Sequence, residues 1–254
     1  MQSSDLIYSG LFKQHGLIGV FTRRTGGVSP APFDSLNFGF DLGDDAKNIS
    51  SNIESLMLCT GIHILPHQAK QVHGTHVLHC SGRGVVHSEN ADALITSQAE
   101  TPLAVRTADC LPILLADPVS GVTAAVHAGW RGTAANIVRT AVDEMGRLGA
   151  LPESILASLG PCIGPCCFDI GEQTAADLSD SAPGAGHFVS RPPRLTADIA
   201  GINTLQLKES GLTEDHIERH NVCSACNADS FFSFRRDHGN TGRHLAVVAR
   251  LPNT

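Results

Sequence analysis

Residues 105–133 read V-R-T-A-D-C-L-P-I-L-L-A-D-P-V-S-G-V-T-A-A-V-H-A-G-W-R-G-T, two apolar runs on either side of one turn signal. Asp117-Pro118-Val119-Ser120 puts proline at the second position of a turn, with Gly121 just behind it; this is chemistry that favours chain reversal. The stretch predicts a β-hairpin. A turn centred between Pro118 and Val119 sets Cys110 directly opposite His127. Residues paired in that way have Cβ atoms roughly 4.5–5.5 Å apart, close enough for both side chains to hold one ion or share one proton.

Around the hairpin, helical periodicity is clearest after Gly132, where Ala134, Val138, Ala141, Met145 and Leu148 line one face before Gly149. Ile49, Ile53, Leu56 and Met57 predict a second helix between Asp44–Asp45 and Gly61, and a third is expected over Thr196–Glu209. Strand-like runs fall at Leu17–Thr22, Ala69–His73, His76–Cys80, Leu103–Arg106, Leu111–Ala116, Val122–Val126, Phe231–Phe234 and Leu245–Ala249. Strands and helices mix without strict alternation. The expected class is therefore α+β with mixed β-sheets and flanking helices, not a doubly wound parallel fold. The chain has no internal repeat and no clear linker. The Gly/Pro-rich stretch 179–193 reads as a surface loop, so residues 1–254 are expected to form a single domain.

Charge and cysteine usage narrow the function classes. A net charge of −7 gives no electrostatic footprint for a nucleic acid polymer. The N-terminus lacks a basic segment followed by a long apolar one, and no apolar run reaches the roughly 18–20 residues that span a bilayer. Eight cysteines in such a chain read as reduced thiols or ligands, and the expected location is cytoplasmic.

Two chemistries fit Cys110 and His127. A thiolate and an imidazole ligate zinc, given at least one further ligand; or the histidine activates the cysteine as a nucleophile, as in Cys–His hydrolases. For an arbitrary pair, a buried thiol and a satisfied histidine is the default. Here Asp109 precedes the cysteine, and Ala-Gly-Trp-Arg-Gly follows the histidine into a helix, which is more than a core strand end needs. The richest source of a third ligand is Q-V-H-G-T-H-V-L-H (71–79). His73 and His76 point to opposite sides of a regular strand, and Gly74 beside His73 permits an irregular turn. Spacing alone favours His73 only slightly.

Q-V-H-G (71–74), R-T-A-D-C-L-P-I (106–113), A-V-H-A-G-W-R-G-T (125–133) and G-P-C-I-G-P-C-C-F-D-I-G (160–171) resemble the signature blocks of the YfiH family. F-T-R-R-T-G-G-V-S (21–29), L-N-F-G (36–39), L-G-D-D (42–45) and F-F-S-F-R-R-D-H-G-N-T-G-R (231–243) match further blocks in order. The resemblance covers nearly the whole chain. It implies a purine nucleoside phosphorylase with additional adenosine deaminase activity, in a family that also carries a polyphenol oxidase or laccase label. It also implies an α+β fold related to that of cysteine-dependent toxin deamidases. The metal ligands it implies are His73, Cys110 and His127.

A multicopper oxidase needs many histidines around a trinuclear cluster, and the 13 histidines here include no H-x-H pair. One His/Cys/His set makes one metal site, in which copper instead of zinc would give weak oxidation. Three protein ligands leave a fourth zinc position open, the pattern of a catalytic site. Purine nucleosides and phosphate are then the expected partners of a monomer or weak homodimer. The helix expected from Gly132–Thr133 would turn its free N–H groups towards the neighbourhood of His127. Arg131, Arg24 and Asn37 are candidates for phosphate or ribose contacts, and each is equally readable as a turn or surface residue. H-I-E-R-H-N-V-C-S-A-C (216–226) imitates a zinc knuckle, but two residues between His220 and Cys223 are too few for the chain to fold back. No metal is expected there. Cys162, Cys166 and Cys167 are expected to line or pack the site, and redox pairing of Cys223 with Cys226 stays open. The competing readings are a Cys110–His127 hydrolase or deamidase, a single-copper oxidase, and a non-catalytic protein that has kept the pocket.

Overall fold

The computed structural model describes residues 1–40, 42–190 and 193–251. Among the described residues twelve strands run in chain order: β1 (Leu6–Tyr8), β2 (Leu17–Thr22), β3 (Gln68–Lys70), β4 (Val77–His79), β5 (Val86–Asn90), β6 (Ala93–Thr96), β7 (Leu103–Thr107), β8 (Leu111–Ala116), β9 (Thr123–Ala128), β10 (Leu156–Leu159), β11 (Ile217–Arg219) and β12 (His244–Arg250). The helices are α1 (Gly10–Gln14), α2 (Ala46–Thr60), α3 (Trp130–Ala134), α4 (Ile137–Arg147), α5 (Glu172–Ser179) and α6 (Ile199–Glu209). Two sheets dominate, one ordered β1-β2-β12-β7 and the other β11-β10-β8-β9-β6-β4. The first is antiparallel throughout, while β4–β6 and β10–β11 are parallel pairs within the second. The class is α+β with mixed sheets.

Layering follows from the alternation of side chains along each strand. In β8, Leu111, Ile113 and Leu115 pack with Ile137, Val138 and Met145 of α4 and Ile202 of α6. Leu114 and Ala116 of the same strand face the other sheet, meeting Leu103 and Val105 of β7 and Ala246 and Val248 of β12. The opposite face of that sheet, Val20, Ala104, Leu245 and Val247, is covered by Ile49, Ile53 and Leu56 of α2. Helix, sheet, sheet and helices therefore stack in four layers. The hairpin strands are buried at every position because both of their faces are covered, which is why they read as apolar runs interrupted only by Thr123 and His127.

Several expectations need correction. The hairpin exists, but Pro112, not Cys110, pairs with His127. Gly121 adopts a φ of 76° and donates its N–H to the Asp117 carbonyl, so the loop takes in Ser120 and Gly121 on that side and the pairing shifts by two. The helix after His127 starts at Trp130 and breaks at Asn136, whose φ of 55° and side-chain bond to the Arg139 N–H start a new helix; asparagine tolerates that conformation better than most residues. The Phe231–Phe234 run is not a strand. Its Phe232 N–H donates to His244 Nε2, its Ser233 hydroxyl to Asp109 and its Phe231 N–H to the Asn227 carbonyl, so its polar groups bond to side chains and nearby turns and not to a ladder. The 179–193 loop contains a short helical turn at Ala185–Phe188, and residues 191 and 192 lie outside the described residues. No helix among the described residues is long and apolar enough to cross a membrane.

Candidate functional site

His73, Cys110 and His127 come together where β7 and β9 end between the two sheets. One donor atom from each lies within 4.8 Å of the others. Cys110 Sγ is 3.7 Å from His73 Nε2, and the two imidazoles meet edge to face at 4.9 Å. His127 is buried, Cys110 half-buried and His73 exposed. The trio joins although the hairpin register differs from the expected one. Cys110 sits one residue before β8, in a tight passage where Asp109 holds a φ of 85°.

That backbone is over-determined, as a strained conformation must be. The Asp109 carboxylate accepts bonds from the Ser224 hydroxyl at 2.6 Å, the Ser233 hydroxyl at 3.0 Å and the Arg235 N–H at 2.7 Å. Its carbonyl accepts the Ile163 N–H at 2.8 Å. His73 stands on a similar bend, φ 62°. Gln71 fixes the approach to it by a pair of bonds between its side-chain amide and the Arg106 backbone.

Asp92, at the foot of β6, joins the two histidines and was missed in the sequence. It has no exposed surface. Its carboxylate accepts the N–H groups of Val72, His73 and Gly74 and, at 2.8 Å, Nδ1 of His127. Burial opposes the ionised form, but the His127 and backbone hydrogen bonds outweigh it and hold the carboxyl below its ordinary range. With Nδ1 committed to Asp92, Nε2 of His127 is left to face the thiol. Burial raises the Cys110 pKa, but the charge and hydrogen bond of His127, then His73, pull it down to about 6. Burial disfavours the His127 cation, and Cys110 and Asp92 nevertheless raise it to about 9. The signal available in the sequence was a lone carboxylate inside the apolar run A-D-A-L-I-T (91–96).

Two imidazoles and a thiolate suit zinc or copper, and the carboxylate behind His127 is the usual outer support of a metal-bound histidine. Gly129 keeps the space open: a Cβ there would stand 2.7 Å from His73 Cδ2 and 3.1 Å from Cys110 Sγ. The residues present therefore fit a metal ion. Two further donor clusters occur among the described residues. In one, His67, Cys80 and His87, the stacked rings already share a 2.8 Å hydrogen bond.

The trio opens into a cavity of about 500 Å³, the size of a small-molecule site. Phe40, Phe168, Phe234 and Trp130 give it aromatic walls, and Lys70, Arg106, Arg235 and Arg243 bring cations. Arg106 stacks on Phe40 and Arg243 on Phe234. These cations lie within or beside the 71–74, 106–113 and 231–243 sequence blocks, where no local pattern marks them as cavity residues. The structure places the other candidates outside the cavity lining. Arg24 donates to the Asp34 and Ala228 carbonyls and stacks on Phe232. Asn37 is buried, and its Oδ1 accepts the N–H groups of Gly39 and Arg243, supporting the wall from behind. Arg131 lies over Trp130 and borders a separate shallow depression. The helix it sits on has only five residues and starts at Trp130, not at Gly132–Thr133.

Fold and cluster together define an α+β protein with a His₂Cys donor set at the mouth of an aromatic, cationic cavity. Residues 18–251 match the family described as multi-copper polyphenol oxidoreductase laccase. Relatives include a purine nucleoside phosphorylase of Deinococcus radiodurans, 40% identical over 90% of this chain and 87% of that protein. The purine nucleoside phosphorylase YfiH of Escherichia coli is 35% identical over 96% and 98%. Among solved structures, YlmD of Geobacillus stearothermophilus superposes with a TM-score of 0.88 at 32% identity, covering 96% of this chain and 94% of that one. A Bacillus licheniformis protein YfiH gives 0.89 at 27%, over 98% and 97%. The chain belongs to the YfiH family. Family description and donor set both point to a metal.

Proposed function

We propose that this chain is a zinc-dependent purine nucleoside phosphorylase with adenosine deaminase activity, built as one catalytic unit and working in the cytoplasm. One observation carries the proposal: the His73–Cys110–His127 trio opens directly into a cavity with aromatic walls and cationic residues. The names of its relatives support the phosphorylase reading. Held by His73, Cys110 and His127, zinc would supply Lewis acidity and an open position for a polar substrate atom. The protein side chains account for the rest. Phe40, Phe168, Phe234 and Trp130 offer faces on which a purine stacks. Lys70, Arg106, Arg235 and Arg243 neutralise phosphate near the anomeric carbon, so that the glycosidic bond breaks as the phosphate oxygen bonds to the sugar. Free base and ribose-1-phosphate leave. In deamination water replaces the amino group and ammonia leaves. Asp92 holds the His127 tautomer throughout. Asn37 positions Arg243, while Arg24 and Arg131 act from outside the pocket.

The test is a nucleoside assay with and without phosphate on protein of known metal content. Cleavage should saturate with phosphate and yield ribose-1-phosphate, deamination should proceed without it, and His73→Ala should abolish both. Free ribose appearing at an unchanged rate without phosphate would sink the phosphorylase reading. Copper in stoichiometric amount would move the site towards a single-copper oxidase.

A second reading has its own observation. Cys110, His127 and Asp92 stand in the order thiol, imidazole, carboxylate, with Cys110 at a pKa of about 6, as in cysteine hydrolases and deamidases. A nucleophile of that kind alkylates readily in untreated protein, whereas a zinc ligand is shielded until a chelator strips the ion. Rapid alkylation with full hydrolytic activity in metal-free protein favours the hydrolase.

A further inference from the structure

Away from the cavity trio, four cysteines from two distant segments converge. Cys166 and Cys167 come from the turn after β10, and Cys223 and Cys226 from the loop after β11. All four Sγ atoms lie within 4.8 Å of one another. Cys226 Sγ is 3.5 Å from Cys166 Sγ and 3.3 Å from Cys167 Sγ. A tetrahedral zinc with bonds of about 2.3 Å has sulfur–sulfur edges of about 3.8 Å, so the spacing is that of a tetrathiolate shell. We propose that Cys166, Cys167, Cys223 and Cys226 form a second, structural site for a thiophilic divalent cation of the zinc class, distinct from the cavity trio.

The backbone is prepared for it. Cys162 and Cys223 form a parallel β-bridge, the Cys162 N–H donates to the Val222 carbonyl, and the Ser224 N–H donates to the Cys162 carbonyl. These bonds fix one cysteine-bearing segment against the other without any ion. Gly164 lets them approach: a Cβ there would stand 3.2 Å from Cys223 Cβ and 3.3 Å from Cys166 Sγ. The Gly164 N–H points at Cys223 Sγ, 3.2 Å away, the kind of outer hydrogen bond that supports a ligating sulfur. Four thiolates around a divalent cation carry a net charge of −2, the four protons going to solvent. Guanidinium groups flank the loops: Arg236 donates to the carbonyls of Ser224 and Ala225, between Cys223 and Cys226, and Arg194 to the Cys166 carbonyl. Cysteines spaced C-C and C-x₂-C on two turns need no knuckle, because the sheet supplies the return that the 216–226 segment lacks.

The site would act as a clamp. Ile163 and Phe168 line the cavity from one clamped segment, and Ser224 on the other holds Asp109 beside Cys110. The test uses the full-length Cys110→Ala chain, in which the cavity trio has lost its thiolate. Titrated with Zn²⁺ against a chromophoric chelator under reductant, it should take up roughly one equivalent. Four thiols should become protected from alkylation, and thermal stability should rise. Adding Cys223→Ser and Cys226→Ser should abolish both the uptake and the protection. No uptake by Cys110→Ala, or uptake that survives the added serines, overturns the proposal. So does zinc-insensitive alkylation combined with an air-formed disulfide from Cys226 to Cys166 or Cys167, which would make the cluster a redox pair.

Discussion

Asp92 carries more of the site than any ligand candidate, because one carboxylate accepts three backbone N–H groups and a histidine nitrogen. Asp92→Asn keeps the shape but replaces an acceptor oxygen with an NH₂ that faces donors. The protein should lose roughly 1–3 kcal/mol of stability. Metal affinity should fall about 10–100-fold, the usual effect of removing an outer-shell partner. Denaturation midpoints and competitive metal titration read the two effects separately; an unchanged metal affinity would mean that Asp92 only ties down the 72–74 bend. His244 makes a prediction in pH. Burial pushes its pKa from the ordinary 6.5 down to about 3, and Nε2, by accepting the Phe232 N–H, suits the neutral ring, so it stays neutral in the fold. Below pH 6.5 the unfolded chain takes up a proton that the folded chain refuses. The contribution of His244 is therefore complete above pH 6.5 and is lost as pH falls towards 3, at up to about 1.4 kcal/mol per pH unit. His244→Gln keeps an acceptor for Phe232 and has nothing to titrate. Its stability should fall less steeply than that of the parent between pH 6 and 4, and parallel curves would refute the assignment.

At the scale of elements, the hairpin shows what local signals determine and what they do not. The apolar runs and the Asp-Pro turn locate β8 and β9 to within a residue or two, since burial on both faces leaves only Thr123 and His127 as polar positions. The register escapes them, because a single glycine at positive φ lengthens the loop and shifts every pair. Cys110 and His127 still meet, held by the Asp109 bend and by Asp92 and not by direct strand pairing. The partition of the 130–147 helix into two was equally hidden, since apolar spacing continues across Asn136 while the backbone does not. Gly129, at the junction of β9 and α3, gives the sharpest element-level test. Its φ of −73° suits any residue, yet a Cβ would press against both His73 and Cys110. Gly129→Ala should fold with near-parental thermal stability and lose most of its metal and activity. A variant that keeps both would show that the trio has room to retreat.

Over the whole molecule, the cavity exists only because distant strands become neighbours: β6 beside β9 brings Asp92 to His127, and β12 beside β7 brings Arg243 to the Asp109 turn. Periodicity along one chain does not encode sheet order, so Asp92 and the four cavity cations could be seen as residues but not as a site. The same topology separates cations that sequence position had grouped. Arg131 stands close to His127 in the chain yet stacks over Trp130 beside another depression, whereas Arg243, remote in sequence, feels the charges of Cys110 and Asp109. If phosphate enters the cavity, removing Arg243 removes a charge-assisted contact worth about 1.5–3 kcal/mol. Arg243→Ala should therefore raise the phosphate concentration needed for half-maximal nucleoside cleavage about ten- to a hundredfold. Deamination, which uses water, should change much less. Arg131→Ala should leave the phosphate dependence within about twofold of the parent, since loss of an exposed charge outside the pocket is weakly felt. Steady-state kinetics in both reactions separates the outcomes: a larger phosphate defect in Arg131→Ala than in Arg243→Ala would put the anion outside the cavity, on the surface beside Trp130.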